Sequence, residues 1–354
     1  MSDQIVEELA RLAPDVATEV GIEGYDDGWT DLSPEGADHA LATLKSLRAV
    51  VEDLPEPTTS QDRLAVGLAK VTLDEEADFF ESGDHLRNLN SMASSLQSIR
   101  EVWDHMGRET DEDWTNIVYR LERLPAALDG YRASLDEGRR KNMAVAERQV
   151  RAAVEQCRVS ESGTSRLTRL LADYREANGD GGLLTRLEGA VTDCRQAFSE
   201  FGDYLAYTYA TDAAERDAVG SERFVRAAYE FLGTTIDPIE TYEWGWDQIA
   251  ALRREMASVA ALIDPGSDIR VVHRLLQTDP DRTVPDAAAL QAFVGARLDD
   301  ALERLSGSHF DVPPEIRNVT VNIAPPGSSL GAYYVSPSED FTRPGSVWWS
   351  LTPT

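Results

Sequence analysis

The residues best able to carry chemistry are five histidines, His39, His85, His105, His273 and His309, and two cysteines, Cys157 and Cys194. A zinc hydrolase helix sets two histidines four positions apart with a glutamate after the first, so that both rings meet the metal and the carboxylate meets its water. None of the five sits in that pattern, and none has a glutamate three positions earlier, as di-iron bundles require. The nearest grouping is Glu101, His105 and Glu109, which four-residue steps place on one helical face; it reads as a solvated charged face. His273, within Val271-Val-His-Arg-Leu-Leu, reads as a packed or hydrogen-bonded helix residue. The two cysteines, 37 positions apart, offer neither a zinc cage nor a disulfide framework and read as buried free thiols. Gly327-Ser-Ser329-Leu-Gly331 has the letters of a nucleophile elbow. An elbow needs a strand before the serine and a helix after it, whereas Pro325 and Pro326 precede this one and the strand-like Ala332-Tyr-Tyr-Val follows, so Ser329 reads as non-catalytic. No glycine-rich phosphate loop occurs.

Helices must position whatever site there is. From Ser33 to about Leu305 apolar residues recur at helical spacing, most plainly at Ile117, Leu121, Leu124, Leu128, Tyr131 and Leu135. Pro125 lies within that stripe and is expected to kink or divide the helix near Leu124. A second long helix is expected to start at Asp237-Pro-Ile-Glu240, with Asp as cap and Pro at the first position. Its stripe of Ile239, Tyr242, Trp246, Ile249, Leu252, Met256, Val259 and Ile263 reads as core packing, as does Leu290, Phe293, Leu298, Leu302 and Leu305 in a helix from about Pro285. After Phe310 three β-branched and aromatic runs, bounded by turn residues, read as short strands. The expected fold is mainly α, a multi-helix bundle-like scaffold over 1–310 followed by a small β-sheet segment over 311–354, with softer breaks at Gly179-Asp-Gly-Gly and Asp217-Ala-Val-Gly.

The 354 residues include 63 Asp and Glu against 34 Lys and Arg, a formal charge of -29, and of the basic residues three are lysine. Such acidity argues against nucleic acid as a partner, because counterion release needs a basic face and the densest basic run is Arg139-Arg140-Lys141. Acidity with lysine almost eliminated reads as adaptation to molar salt, where screening lengths are short; the alternative, an acidic mesophilic protein from a GC-rich genome, explains arginine over lysine but not the size of the charge. No apolar run approaches the roughly 18 residues of a membrane span, and the start, Met1-Ser-Asp-Gln-Ile-Val-Glu-Glu, shows no secretory leader. The expected location is cytoplasmic, with no membrane partner.

Five stretches stand out in order: Ala17-Thr-Glu-Val-Gly-Ile-Glu-Gly-Tyr25-Asp-Asp with Asp31-Leu-Ser-Pro, Arg120-Leu-Glu-Arg-Leu-Pro125-Ala-Ala-Leu, Gly220-Ser-Glu-Arg-Phe224, Tyr242-Glu-Trp-Gly245-Trp-Asp-Gln, and the final Ala332-Tyr333-Tyr334-Val-Ser-Pro-Ser with Arg343-Pro-Gly-Ser-Val-Trp. In that order they resemble the DUF885 family, whose full-length members look like zincin metallopeptidases. The resemblance implies a truncated zincin-like fold. It also implies zinc in full-length members, held by a later His-Glu helix and a Pro-Gly-His-His run that this sequence does not contain; within this chain no catalytic residue, metal ligand or cofactor is expected. The implied role is the scaffold and cleft-lining part of a metal-dependent peptidase, inactive by itself, with a peptide substrate and a separately encoded C-terminal catalytic part as possible partners. Tyr333 and Tyr334 then become the candidate substrate contacts, through strand pairing with an extended peptide, and Arg343 a candidate for a substrate carboxylate. The alternatives are that both tyrosines pack the sheet, that Arg343 is a surface turn residue, and that the chain is a non-catalytic helical peptide- or protein-binding protein.

Overall fold

The structure, a computed structural model, describes residues 2–163, 165–324 and 331–351. Ser329 and the two prolines before it lie outside them. The chain is mainly helical, with one small sheet, and divides into two compact units. Unit 1 is Met1–Asp217 with Ser336–Arg343, and unit 2 is Ala218–Val335 with Pro344–Thr354. The change of texture at residue 310 is therefore not where the units part: the sheet belongs with the last four helices, and the break falls at the softer signal, Asp217-Ala-Val-Gly.

Unit 1 contains α1 (Ser2–Leu12), α2 (Pro14–Val20), α3 (Pro34–Glu52), α4 (Ser60–Glu81), α5 (Ser95–Glu101), α6 (Asp111–Arg140), α7 (Glu147–Glu161), α8 (Arg166–Asn178) and α9 (Leu184–Tyr207). Helix starts follow side-chain chemistry. Ser33 accepts the Gly36 N–H at 3.0 Å ahead of Pro34, and Thr110 and Asp113 form a reciprocal capping box at the head of α6. The larger core gathers around α6, which packs on α9, while α9 also packs on α7. All six residues of the Ile117–Leu135 stripe are buried. A smaller core joins Ile5 of α1, Leu44, Leu47 and Val51 of α3, and Leu73 of α4.

Pro125 does not divide α6, which runs unbroken for 30 residues. A proline inside a helix orphans the carbonyl four positions earlier, here that of Leu121. The Cys194 thiol of α9 donates to that carbonyl at 3.1 Å, so a buried free thiol relieves what the proline costs.

Unit 2 contains α10 (Ser221–Leu232), α11 (Pro238–Ile263), α12 (Ile269–Thr278), α13 (Ala287–Leu305) and the strands β1 (Val319–Ala324), β2 (Ala332–Val335) and β3 (Gly345–Ser350). Asp237 caps α11, accepting the N–H groups of Ile239 and Glu240 at 2.8 and 3.1 Å, as its sequence predicts. The sheet order is β1-β3-β2, with β1 parallel and β2 antiparallel to the central β3. Gln291 of α13 donates to the Val321 carbonyl and ties that helix to β1. Here the expectation of core packing fails. Among the described residues α11 buries Ala260 and α13 buries none, while Tyr242, Trp246, Leu252 and Phe293 are exposed. Helical spacing fixes the apolar side of a helix but supplies no surface to cover it. His273, on α12, is likewise exposed rather than packed.

Candidate functional site

Unit 1 holds a pocket of about 860 Å³ bounded by α1, α2, α3, the end of α4 and α5. Its side is set by one buried arginine. Arg120 of α6, fully enclosed, donates to the carbonyls of Gly28 (3.0 Å), Tyr25 (2.9 Å) and Pro14 (3.3 Å) and to Thr18 Oγ1 (2.9 Å). Its guanidinium lies 5.4 Å from the Trp29 ring centroid, and the Trp29 indole donates back to the Arg120 carbonyl at 2.8 Å. Segment 14–29 is thereby moored to α6. Burial lowers the Arg120 pKa to about 10 against the opposing charges of Asp26, Asp15 and Asp27, and the guanidinium stays charged at neutral pH. Asp15, also buried, accepts hydrogen bonds from the backbone and hydroxyl of Thr30.

The last segment of unit 1, Ser336–Arg343, is held against the same segment. Gly21 ends α2 in the left-handed conformation with φ +79°, and a Cβ there would come within 2.5 Å of Ser338 Cβ, so glycine is required twice over. Arg343 donates to the Glu19 carbonyl at 2.6 Å and meets His105 Nδ1 at 3.2 Å. A guanidinium can only donate, so His105 accepts at Nδ1 and its proton sits on Nε2. Desolvation, with the Arg343 charge second, lowers the His105 pKa to about 4; the imidazole is neutral at pH 7. Desolvation raises the pKa values of Glu19 and Glu101, with Asp15 adding to the effect on Glu19, and the charges of Arg166 and Arg100 opposing it on Glu101.

Glu101, His105 and Glu109 do not share a helix face: α5 ends at Glu101, a 3-10 turn covers Val102–Asp104, and α6 starts at Asp111. Glu101 and His105 nevertheless both line the pocket, with Glu19, His39 and His85, whereas Glu109 does not. The walls between them are largely apolar, from Leu9, Val16, Val20, Ile22, Phe79 and Phe80. Glu101 Oε1 is buried with no hydrogen-bond partner among the described residues. Arg166 Nη2 stands 3.9 Å from it, beyond hydrogen-bond range, while Arg166 Nε bonds Asp104 Oδ2 at 2.7 Å.

Of the three sequence-expected contacts, Arg343 belongs to unit 1 and reaches His105, whereas Tyr333 and Tyr334 belong to unit 2. Tyr333 stacks on Trp348 across the β2–β3 pair, with ring centroids 6.2 Å apart and planes at 5°. Tyr334 is exposed on β2, and among the described residues no strand pairs with the outer edge of β2. Sequence reasoning missed Glu19, Glu101 and Arg120 as parts of one arrangement. The available signal was that Arg120, the Ala17–Asp27 segment and Arg343 all fall within the segments that carry the family resemblance.

A model of the family described as "Bacterial protein of unknown function (DUF885)" matches residues 14–354. The chain belongs to the DUF885 family. No curated protein matches it. Among solved structures, one described as a "putative lipoprotein from Colwellia psychrerythraea" superposes with a TM-score of 0.80 at 15% identity, over 98% of this chain and 65% of that one. A second lipoprotein structure, of unknown function and from Shewanella oneidensis, gives a TM-score of 0.66 at 15% identity over 99% and 64%. The DUF885 chain thus spans under two thirds of the length of these neighbours, and the likeness is one of fold. The lipoprotein descriptions overturn the expected cytoplasmic location. That expectation rested on the residue types of the first positions, which form the amphipathic helix α1 with Ile5 and Ala10 buried; such a pattern reports packing, not compartment. Among the described residues no helix is long and apolar enough to cross a membrane.

Among the described residues no three His, Cys, Asp or Glu side chains are grouped to hold a metal ion.

Proposed function

We propose that this chain is the ligand-holding scaffold of a DUF885 protein of the peptidase type, and that the unit 1 pocket takes a short peptide by its positively charged end. The observation that carries this is Glu101, a desolvated carboxylate in the lining of a mainly apolar pocket. A desolvated carboxylate gains a charge-assisted hydrogen bond from an ammonium group. Glu19 adds a second desolvated carboxylate, neutral His105 adds no opposing charge, and a volume of this size is that of ordinary ligand pockets. A short peptide offers the apolar side chains that the walls suit and an ammonium for the two carboxylates. The acidity with three lysines supports a working environment of high salt for the same protein.

The test is calorimetric titration of tetraalanine with a free amino terminus against its N-acetylated form, on the wild type and on Glu101→Gln. The expected result is at least a tenfold preference for the free amine, lost in the variant. Equal affinity for the two peptides, or binding of neither, contradicts the proposal. Because the Glu101 pKa is raised in the folded state, affinity for the amine should fall as pH drops through that raised value and Glu101 takes up a proton.

A further inference from the structure

Unit 1 holds a second, much smaller cavity of about 20 Å³. Its polar lining comes from Arg100 of α5, Ser160 of α7, and Ser165 and Arg166 at the start of α8, with Trp103 and Phe198 among the apolar remainder. No carboxylate is among the described residues that line it.

The donors of this lining are not all used. Arg100 is 5% exposed; its Nε donates to Ser160 Oγ at 3.0 Å, while its Nη1 is buried with no hydrogen-bond partner among the described residues. A buried charged donor left without an acceptor is costly. Neither hydroxyl of the lining relieves it. Ser160 Oγ donates to the Gln156 carbonyl at 3.1 Å, and Ser165 Oγ accepts the Thr168 N–H at 3.3 Å and meets Thr168 Oγ1 at 3.2 Å. Arg166 brings a second guanidinium, which bonds Asp104 Oδ2 through Nε at 2.7 Å and has Nη2 3.9 Å from Glu101 Oε1. Desolvation first and the Arg166 charge second lower the Arg100 pKa, against the opposing charge of Glu101, so two cations stand close in a desolvated setting.

The amino terminus of α8, a helix of 13 residues, adds positive potential at the same place. The first N–H groups of a helix have no partner within it. Ser165 takes that of Thr168, and Arg166 and Leu167, the first two helical residues, both line the cavity. Size then selects the ligand. One water needs about 10–15 Å³, so about 20 Å³ admits a single particle of that order and no polyatomic oxyanion. A water would answer Nη1 but leave the two neighbouring guanidinium charges as they are, whereas a monoatomic anion answers both.

We infer that this cavity is a halide site, in which one chloride ion accepts hydrogen bonds from the guanidiniums of Arg100 and Arg166 at the amino terminus of α8. Bound there, chloride links α5, α7 and α8 and stabilises the folded state by mass action. The chain's net charge of -29 repels anions across a Debye length of about 30 Å at 0.01 M salt but only about 3 Å at 1 M, so the site fills as salt rises. Nothing in this depends on the peptide reading of the larger pocket.

The experiment has a crystallographic and a solution arm, both on the full chain. Crystals grown in sodium bromide are measured at the bromine absorption edge; in solution, chloride NMR linewidths are titrated, and thermal unfolding is compared at equal ionic strength in chloride and in gluconate, which is too large for the cavity. The expected results are one bromide per chain beside Arg100 and Arg166, an excess linewidth that saturates and that bromide displaces, and a melting temperature higher in chloride by about 3 °C or more. Arg100→Met should remove the excess linewidth and the preference for chloride, and Arg158→Met, on an exposed position of α7, should keep both. The bromide position in the wild type decides the matter even where Arg100→Met fails to fold. The inference is overturned by water alone in the cavity, by bromide at surface positions only, by equal melting in the two salts, or by a chloride effect that a folded Arg100→Met retains.

Discussion

On α6 the stripe Ile117, Leu121, Leu124, Leu128, Tyr131 and Leu135 is at most 2% exposed, while on α11 the stripe Ile239, Tyr242, Trp246, Ile249, Leu252 and Met256 is at least 40% exposed at every position. The two have the same periodicity and comparable side chains. They differ in company: α6 lies on α9, which lies on α7, and both core clusters found among the described residues fall in unit 1. Unit 1 also places a pocket wall through the buried Arg120 and Asp15 and the half-buried Arg343. Unit 2 keeps its apolar side chains at the surface. A pocket with desolvated carboxylates is tolerable in unit 1 because the core beside it is closed, whereas the helices of unit 2 leave their apolar sides open.

The largest effect separating the units should come from Arg120. Replacing it by methionine takes the donor from the Gly28 carbonyl and from Thr18 Oγ1, leaves the Tyr25 and Pro14 carbonyls with their other donors, Gly28 N–H and Thr18 Oγ1, and should cost unit 1 about 3 kcal/mol. Thermal unfolding followed by hydrogen exchange should show the loss in α2 and α6 and leave α11 unchanged. An equal change in both units would dissolve the contrast.

Salt should act next in size. Unit 1 holds 46 Asp and Glu against 24 Lys and Arg, a far larger excess than that of unit 2, so its self-repulsion in dilute buffer is the greater. Its melting temperature is expected to rise by several degrees or more between dilute buffer and molar salt. A melting temperature that does not move would remove electrostatics from the comparison.

A smaller effect lies in pH. The folded value of His105, about 4, is below its ordinary 6.5, so the stability it contributes is present above 6.5 and is lost as pH falls from 6.5 through 4. Glu19 and Glu101 act with the opposite sign, because their folded values are raised: their contribution is present below the ordinary carboxylate value and is lost as pH rises through the raised ones. The difference between wild type and His105→Gln isolates the histidine. The variant should lose up to about 3 kcal/mol less on going from pH 7 to pH 4, measured by urea unfolding; parallel curves would show that His105 is not held neutral by its surroundings.

Much of the fold is legible in the sequence, and the reasons are local. Asp237-Pro-Ile-Glu240 announces α11 through its own backbone needs, the α6 stripe announces its buried side, and the β-branched and aromatic runs after Phe310 announce three strands. Pro125 misleads because the remedy for its lost hydrogen bond comes from Cys194, 69 positions away on another helix. The α11 and α13 stripes mislead because periodicity carries no information about a partner. The pocket is the least legible part. Glu19 at the end of α2, Glu101 at the end of α5, His105 after it and Arg343 near the end of the chain share no spacing, and their segments are brought together by the Arg120 anchor, the Gly21–Ser338 contact and the Arg343 hydrogen bonds to Glu19 and His105.

Native-state hydrogen exchange of the full chain tests most directly the claim that one unit is closed and the other uncovered. Amides in α6 and α9 should exchange only through global opening, while those of α11 and α13 should exchange faster by at least two orders of magnitude, because little buried apolar surface opposes their local opening. Equal protection of α6 and α11 in the monomeric chain would contradict the account.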